Sequence, residues 1–348
     1  MTMNATAGLQ KWQIDTLSRL YISTLSFSLL GSSSVVLLSI IKRRYLNEQV
    51  KPLVQLGLAD FLASAILMGT NIINVLPLSA GVRSNVLLCE LGLSLSLMFY
   101  CISFLMAILY ACESTFATQG WRERPEQGDQ HEIRRRRRRF GIFYASVWLV
   151  PMSAFVVYAV TMSTTMVEMV PASADSSLNR GLPTSEYCTS CLLFLHIGKD
   201  NCSDVDEGHD MFVRGFIFAS LVSVLVICTV VYCKLHSWSR QYENQSEVRG
   251  ALNSARYIMF NISICWSSAL LLLCLSFRKQ ITQDQLFPLY VLQTLSVSLH
   301  GFLNSIVYAW RRPNFREAVL GERLPLLSSP PSSRAYFEES LPTLHTPC

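Results

Sequence analysis

Charge is scarce in this chain of 348 residues. Asp, Glu, Lys and Arg together make up 15% of it, where soluble domains carry about 25%. The deficit is concentrated. Stretches 20–41, 91–112, 140–167, 215–233, 257–277 and 285–310 contain no charged residue, and 52–76 contains only Asp60. A soluble core does not require uncharged runs of that length, whereas about 20 helical residues cross a ~30 Å hydrocarbon layer. Histidine is also sparse. Of six, only His300 falls within a predicted helix, and a membrane-embedded metal hydrolase needs several inward His or acidic ligands. No Ser-His-Asp arrangement is evident, so the sequence predicts no enzyme and no cofactor. Repeated halves and paired broken helices, which mark transporters, are lacking too. What is present predicts an all-α membrane protein, a bundle of seven transmembrane helices.

The flanking charges set an orientation. The first apolar run is too long for the roughly 7–15-residue core of a cleaved signal peptide, so it reads as an uncleaved anchor. Lys42, Arg43 and Arg44 after it outweigh Lys11 and Arg19 before it, which places the amino terminus outside and the carboxyl terminus in the cytoplasm. The other segments that fall inside are also the basic ones. The +5 net charge therefore predicts no nucleic-acid partner. Six consecutive arginines, 134–139, abut the fourth run, where anionic lipid headgroups are the expected partner. The loop between runs four and five is acidic, with Glu168, Asp175, Glu186, Asp200, Asp204, Asp206, Glu207 and Asp210. It reads as a solvated outer face, or as one that steers a cationic ligand.

Cysteine usage fits that orientation. Cys101, Cys112, Cys228, Cys233, Cys265 and Cys274 lie in or at the ends of apolar runs and read as small packing residues. Cys89 precedes the third run, and Cys188, Cys191 and Cys202 lie in the acidic loop. All four face the oxidising side. Cys89 is expected to pair with one of the three, leaving two that can join each other, and three connectivities stay open. Asn4 and Asn201 stand in outside glycosylation triplets. The triplets at Asn244 and Asn261 fall inside or within a helix and read as coincidence.

A charged group near the middle of a membrane costs roughly 2.5–3.5 kcal/mol on insertion scales, so Asp60 demands partners. Ser103, His300 and Asn304 are available at similar depth. A neutral, hydrogen-bonded packing acid is the plain alternative to a functional one.

Several anchors recur in order along the chain. They are Leu56-Gly57-Leu58-Ala59-Asp60, Cys89, Glu113-Ser114-Thr115, Trp148, Cys265-Trp266-Ser267-Ser268 and Asn304-Ser305-Ile306-Val307-Tyr308, with Phe315 seven residues beyond Tyr308. Together they resemble the helix motifs of rhodopsin-like G-protein-coupled receptors across almost the whole chain. The stretch from Leu292 to Tyr308 also resembles receptor-like transmembrane proteins with divergent motifs. The resemblance implies a short amphipathic eighth helix at 313–322, after a membrane domain at 20–312. Residues 1–19 would form an extracellular amino terminus. The Ser- and Pro-rich tail 323–348 is expected to be disordered.

The departures from the family pattern are specific. Ser32 stands where the family carries Asn, and Ser114 where it carries the arginine that meets the G protein. Ser268 and Ser305 replace prolines that kink helices six and seven. The resemblance implies a switching core of Asp60, Ser103, Trp266, His300, Asn304 and Tyr308, and a transducer-facing set of Glu113, Ser114 and Arg256. It also implies a sodium ion at Asp60, against which an Asp60–His300 pair is the competing arrangement. Glu113, lacking its arginine, is expected to use Arg256 or an arginine of the second inner loop. Trp266 reads as core packing or as a toggle. The expected function is signal transduction at the plasma membrane, from an unknown outside ligand to a heterotrimeric G protein or another transducer. A receptor-shaped scaffold or trafficking protein that does not couple is the alternative.

Overall fold

The structure is a computed structural model that describes residues 9–41, 51–75, 82–122, 130–169, 192–193, 207–241, 246–278, 281 and 284–311. Eight helices make up nearly all of it: α1 (Lys11–Ile41), α2 (Lys51–Val75), α3 (Val82–Arg122), α4 (Gln130–Met169), α5 (Glu207–Gln241), α6 (Ser246–Ser276), α7 (Phe287–Ser298) and α8 (His300–Arg311). No strand occurs among the described residues. Six helices contain stretches long and apolar enough to cross a membrane: Trp12–Ile41, Pro52–Ile73, Leu91–Thr115, Gly141–Thr161, Arg214–Ser239 and Leu252–Ser276. The chain is thus a multi-pass helical membrane protein by length and composition.

Polarity is distributed inside out. Phe27, Leu30, Leu37 on α1, Leu149, Val156, Val157 on α4, Phe216 and Val230 on α5, and Phe260, Ile264 and Leu271 on α6 are exposed. Asp60, Ser64, Asn71, Ser103, His300 and Asn304 are buried. Water favours the opposite arrangement. In hydrocarbon, apolar side chains face lipid freely and polar groups must find partners in the interior. The inner stripe of α1 follows helical periodicity: Ile14, Leu17, Tyr21, Leu25, Ser28, Ser32 and Val35 are all buried, spaced three or four residues apart.

The helices overrun the apolar stretches that announce them. α1 begins at Lys11 rather than 20, α3 at Val82 rather than 91, and α4 at Gln130 rather than 140. An apolar run records only what lies in hydrocarbon, while the backbone stays helical on into polar surroundings. For the same reason three further histidines lie in helices, His131 in α4 and His209 and His236 in α5, against the expectation of His300 alone.

The expected seventh crossing at 285–310 is divided. α7 and α8 have 12 residues each, and each alone is short of a bilayer. Leu299 lies between them with φ −80° and ψ −4°. Its amide donates to Leu295 O at 3.1 Å, and its carbonyl accepts from Leu303 N at 2.9 Å. The expected amphipathic helix at 313–322, the tail at 323–348 and residues 1–8 lie outside the described residues.

α3 is the hub, packed against α2, α4, α5 and α6, whereas α4 packs chiefly on α3. α1 closes the bundle by packing on α2, α7 and α8. Gly301 is a point of close approach. A methyl group there would collide with Ser28 Oγ, stand 2.9 Å from Ser32 Oγ and 3.2 Å from Asp60 Cβ. Substitution Gly301→Ala is expected to destabilise the bundle by about 1–3 kcal/mol through overpacking. A lowered midpoint of thermal unfolding in detergent, with Gly69→Ala as control because nothing lies near Gly69, is the check.

Candidate functional site

Asp60 is fully buried on α2, and the helices around it bring donors to both carboxyl oxygens. Ser103 Oγ of α3 donates to Oδ1 at 2.5 Å, and Asn304 Nδ2 of α8 donates to Oδ2 at 2.9 Å. His300 Nε2 lies 3.7 Å from Oδ1, beyond hydrogen-bond reach. It is instead 3.1 Å from Asn304 Nδ2. The amide has two hydrogens, so one reaches Asp60 while the other points at the imidazole. That arrangement makes Nε2 the acceptor and leaves the ring proton on Nδ1. His300 Nδ1 has no hydrogen-bond partner. His300 thus stands within ion-pair distance of the acid while its hydrogen bond goes to the Asn304 amide.

The network continues into α6. Asn261 Nδ2 donates to Asn304 Oδ1 at 2.8 Å and, more weakly, to His300 O at 3.4 Å, and Cys265 Sγ donates to Asn261 Oδ1 at 3.3 Å. One connected set of side chains thus joins α2, α3, α6 and α8. Below this line Ser64 Oγ of α2 donates to Ser28 Oγ of α1 at 3.1 Å. Ser32 is fully buried beside it, and its hydroxyl has no partner.

Aromatic rings enclose one side of the cluster. Trp266 is fully buried. Phe104 meets it edge to face at 5.0 Å and Tyr100 at 5.1 Å, and His300 lies 6.4 Å away. Such pairs prefer edge-to-face geometry because a positive ring edge meets a negative face. Trp266 is therefore packed against the polar cluster and into the core at once.

Of the predicted switching core, the structure brings together Asp60, Ser103, Trp266, His300 and Asn304. Tyr308 is on α8, and its side chain lies outside the described residues. Asn261 was missed. Its triplet reads as a chance glycosylation signal, yet an amide in the middle of an apolar helix carries the same message as Asp60: a buried polar group needs partners.

For the sodium ion implied by family resemblance, which takes several oxygen ligands, the site offers the Asp60 carboxylate and the Ser103 hydroxyl, while Asn304 turns its amide nitrogen to Asp60 and its Oδ1 to Asn261, and His300 brings a ring nitrogen to 3.7 Å. Among the described residues no group of three or more His, Cys, Asp or Glu converges.

The serines that stand in place of family prolines make local bonds. Ser305 Oγ donates to Gly301 O at 2.7 Å, the backward bond of a helical serine. Ser268 Oγ lies 2.6 Å from Ser296 Oγ of α7 and 3.3 Å from Cys265 O, to which it donates. α6 and α7 are thus linked by hydroxyls at this position.

The transducer-facing residues do not form one set. Tyr144 Oη of α4 donates to Glu113 Oε2 of α3 at 2.7 Å, so Glu113 is held by a tyrosine that sequence reading did not single out. Arg256 does not replace the missing arginine. Its Nη1 lies 3.0 Å from His236 Nδ1 on α5, and its guanidinium sits 5.2 Å over the Tyr257 ring. Ser114 is buried between these sites on α3. Cys89 is buried and is not among the free thiols Cys101, Cys112, Cys228, Cys233, Cys265 and Cys274. Its expected partners Cys188, Cys191 and Cys202, and the triplets at Asn4 and Asn201, lie outside the described residues.

No family model matches the chain, and no curated protein matches it. Functional reading therefore rests on the site itself.

Two stability measurements test the site. Asn304→Ala leaves Asp60 Oδ2 without its donor and Asn261 Nδ2 with only the 3.4 Å bond to His300 O, and is expected to cost about 2–4 kcal/mol, against about 1–2 for Ser103→Ala, which frees one carboxyl oxygen. Thermal midpoints in one detergent give the ranking, and equal losses would contradict the network. For the α3–α4 pair, Tyr144→Phe and Glu113→Ala should be non-additive by about 1 kcal/mol in a double-mutant cycle.

Proposed function

We propose that the chain is a divergent receptor-type signal transducer. In this reading α7, Leu299 and α8 act as one broken crossing, which makes seven, and an amphipathic eighth helix follows on the cytoplasmic side. The amino terminus faces outside, where Asn4 and Asn201 are glycosylation candidates and Cys89 is tethered to one of Cys188, Cys191 and Cys202. A ligand enters from outside among helices three, five, six and seven, and shifts a two-state bundle. The carrying observation is the buried network of Asp60, Ser103, Asn304, His300 and Asn261, which joins four helices beside Trp266. A polar set of this kind has discrete hydrogen-bonded arrangements, and an exchange between them re-registers α6 against α2 and α3. An intracellular transducer, a heterotrimeric G protein in the first instance, reads the result near Glu113 and Ser114 at the plasma membrane.

A second reading, a receptor-shaped scaffold or trafficking protein, is favoured by one particular. Ser114 is buried where the family has its arginine, while Glu113 is bonded to Tyr144 and Arg256 to His236. Reconstituted with transducers, Ser114→Arg separates the two. Nucleotide exchange by the parent supports the receptor. A silent parent whose Arg variant signals supports the non-coupling form. Epitope tags at the two chain ends test the shared premise: both on one side of the membrane would mean an even number of crossings and end both readings.

A further inference from the structure

α4 runs from Gln130 to Met169 with its one internal proline, Pro151, well past the basic run, and its candidate membrane stretch begins at Gly141. The six arginines at 134–139 are therefore turns of the same rod, immediately outside the hydrocarbon. At 1.5 Å per residue they lie about 3–10 Å beyond its edge, and a headgroup layer is roughly 5–8 Å deep. This is the depth of lipid phosphate.

Helical periodicity divides the run. Ile142 and Phe143 are exposed on α4, as are Leu149 and Val150 two turns further on. Positions four and seven residues earlier share a face, so Arg135 and Arg138 stand below Ile142, and Arg136 and Arg139 below Phe143. Arg134, seven before exposed Gly141, is the farthest of the run from the membrane stretch, and Arg137 stands between Gly141 and the column of Tyr144 and Trp148. That column faces α3, through the Tyr144–Glu113 bond and the contact of Trp148 with Phe99 at 6.5 Å. Because α4 packs chiefly on α3, its other flank meets lipid. Orientation by positive charge asks only for an excess on one side, and it does not ask for four arginine positions on one lipid-facing stripe.

We propose that this stripe, Arg135, Arg136, Arg138 and Arg139, is a binding site for a membrane lipid whose headgroup carries phosphomonoesters. Arginine presents a planar fork of donors that matches phosphate oxygens two at a time. Four such residues within two turns offer more donors than the single diester of an ordinary phospholipid accepts, and a doubly phosphorylated inositol headgroup has the oxygens to take them. Basic clusters against a membrane helix recognise such lipids by this charge match. Glu132, the one acid of α4 before the run, lies farther along the helix from the candidate membrane stretch. The site is tied to the inner end of α3, because Tyr144, one turn above the run, carries the bond to Glu113.

The test uses the full chain in phosphatidylcholine nanodiscs, where both membrane faces are open, so its outcome is independent of orientation and of signalling. Retained lipid is counted by native mass spectrometry with phosphatidylinositol bisphosphate, or with phosphatidylserine at matched charge. The bisphosphate lipid is expected to bind saturably and more tightly. Substitution R135Q/R138Q/R139Q should weaken it about a hundredfold, three near-surface charges having been removed, while K42Q/R43Q/R44Q, with equal charge removed elsewhere, should not. R135K/R138K/R139K keeps the charge that directs insertion and should still weaken binding several-fold through loss of the fork. Equal retention of phosphatidylserine, an equal loss in the Lys42 control, or unchanged binding in the lysine variant would overturn the proposal. So would soluble inositol trisphosphate binding as tightly as the lipid.

Discussion

A carboxyl group surrounded by hydrocarbon cannot be left to itself, and the arrangement of this bundle follows from that constraint at Asp60. Its two oxygens take donors from α3 and α8. The amide that serves one of them is itself held by α6. Each bond is short in reach, so four helices must come to one point and stay there. Lipid offers nothing that competes for these donors and acceptors, whereas in water each would be half-satisfied by solvent. The cost of losing a partner is correspondingly one-sided. The glycine at 301 belongs to the same constraint, since α8 reaches Asp60 only by bringing its backbone against Ser28 and Ser32.

Around that point the bundle is sorted into pairs. Serines at 268 and 296 join α6 to α7, Glu113 and Tyr144 join α3 to α4, and Arg256 and His236 join α6 to α5. Towards the start of α1, Gln13 donates to Asp284 at 2.6 Å, and Tyr21 and Gln293 are bonded across α1 and α7. α3 and α6, which line the polar cluster, are thus each fastened to a peripheral neighbour, α3 to α4 and α6 to α5.

Much of this was legible in the sequence. Uncharged runs announced the membrane helices, because only length and apolarity matter for crossing. Asp60, Ser103, His300 and Asn304 could be grouped because polar residues inside such runs are few and conspicuous. What stayed hidden has physical reasons. Helix ends are invisible to hydropathy once the chain leaves the hydrocarbon, so α3 and α4 run well past their apolar spans. The interruption at Leu299 involves no proline and no glycine at that position, and its dihedrals remain helical. Tyr144 reads as one more aromatic among apolar neighbours until its hydroxyl is seen against Glu113. Arg256 lies in the first half of α6, among the partners expected of Glu113, yet the side of the helix it occupies directs it to α5. The charge it carries says nothing of that direction.

α6 extends from Ser246 to Ser276 without a proline, and Asn261, its attachment to the polar cluster, is at its midpoint. About 22 Å of rod lie on either side. A kinked helix swings its inner half while the outer half stays at rest. An unbroken one tied near its centre, by Asn261 between the bonds of Arg256 and Ser268, behaves as a lever, so a sideways movement of one end is carried to the other in the opposite sense.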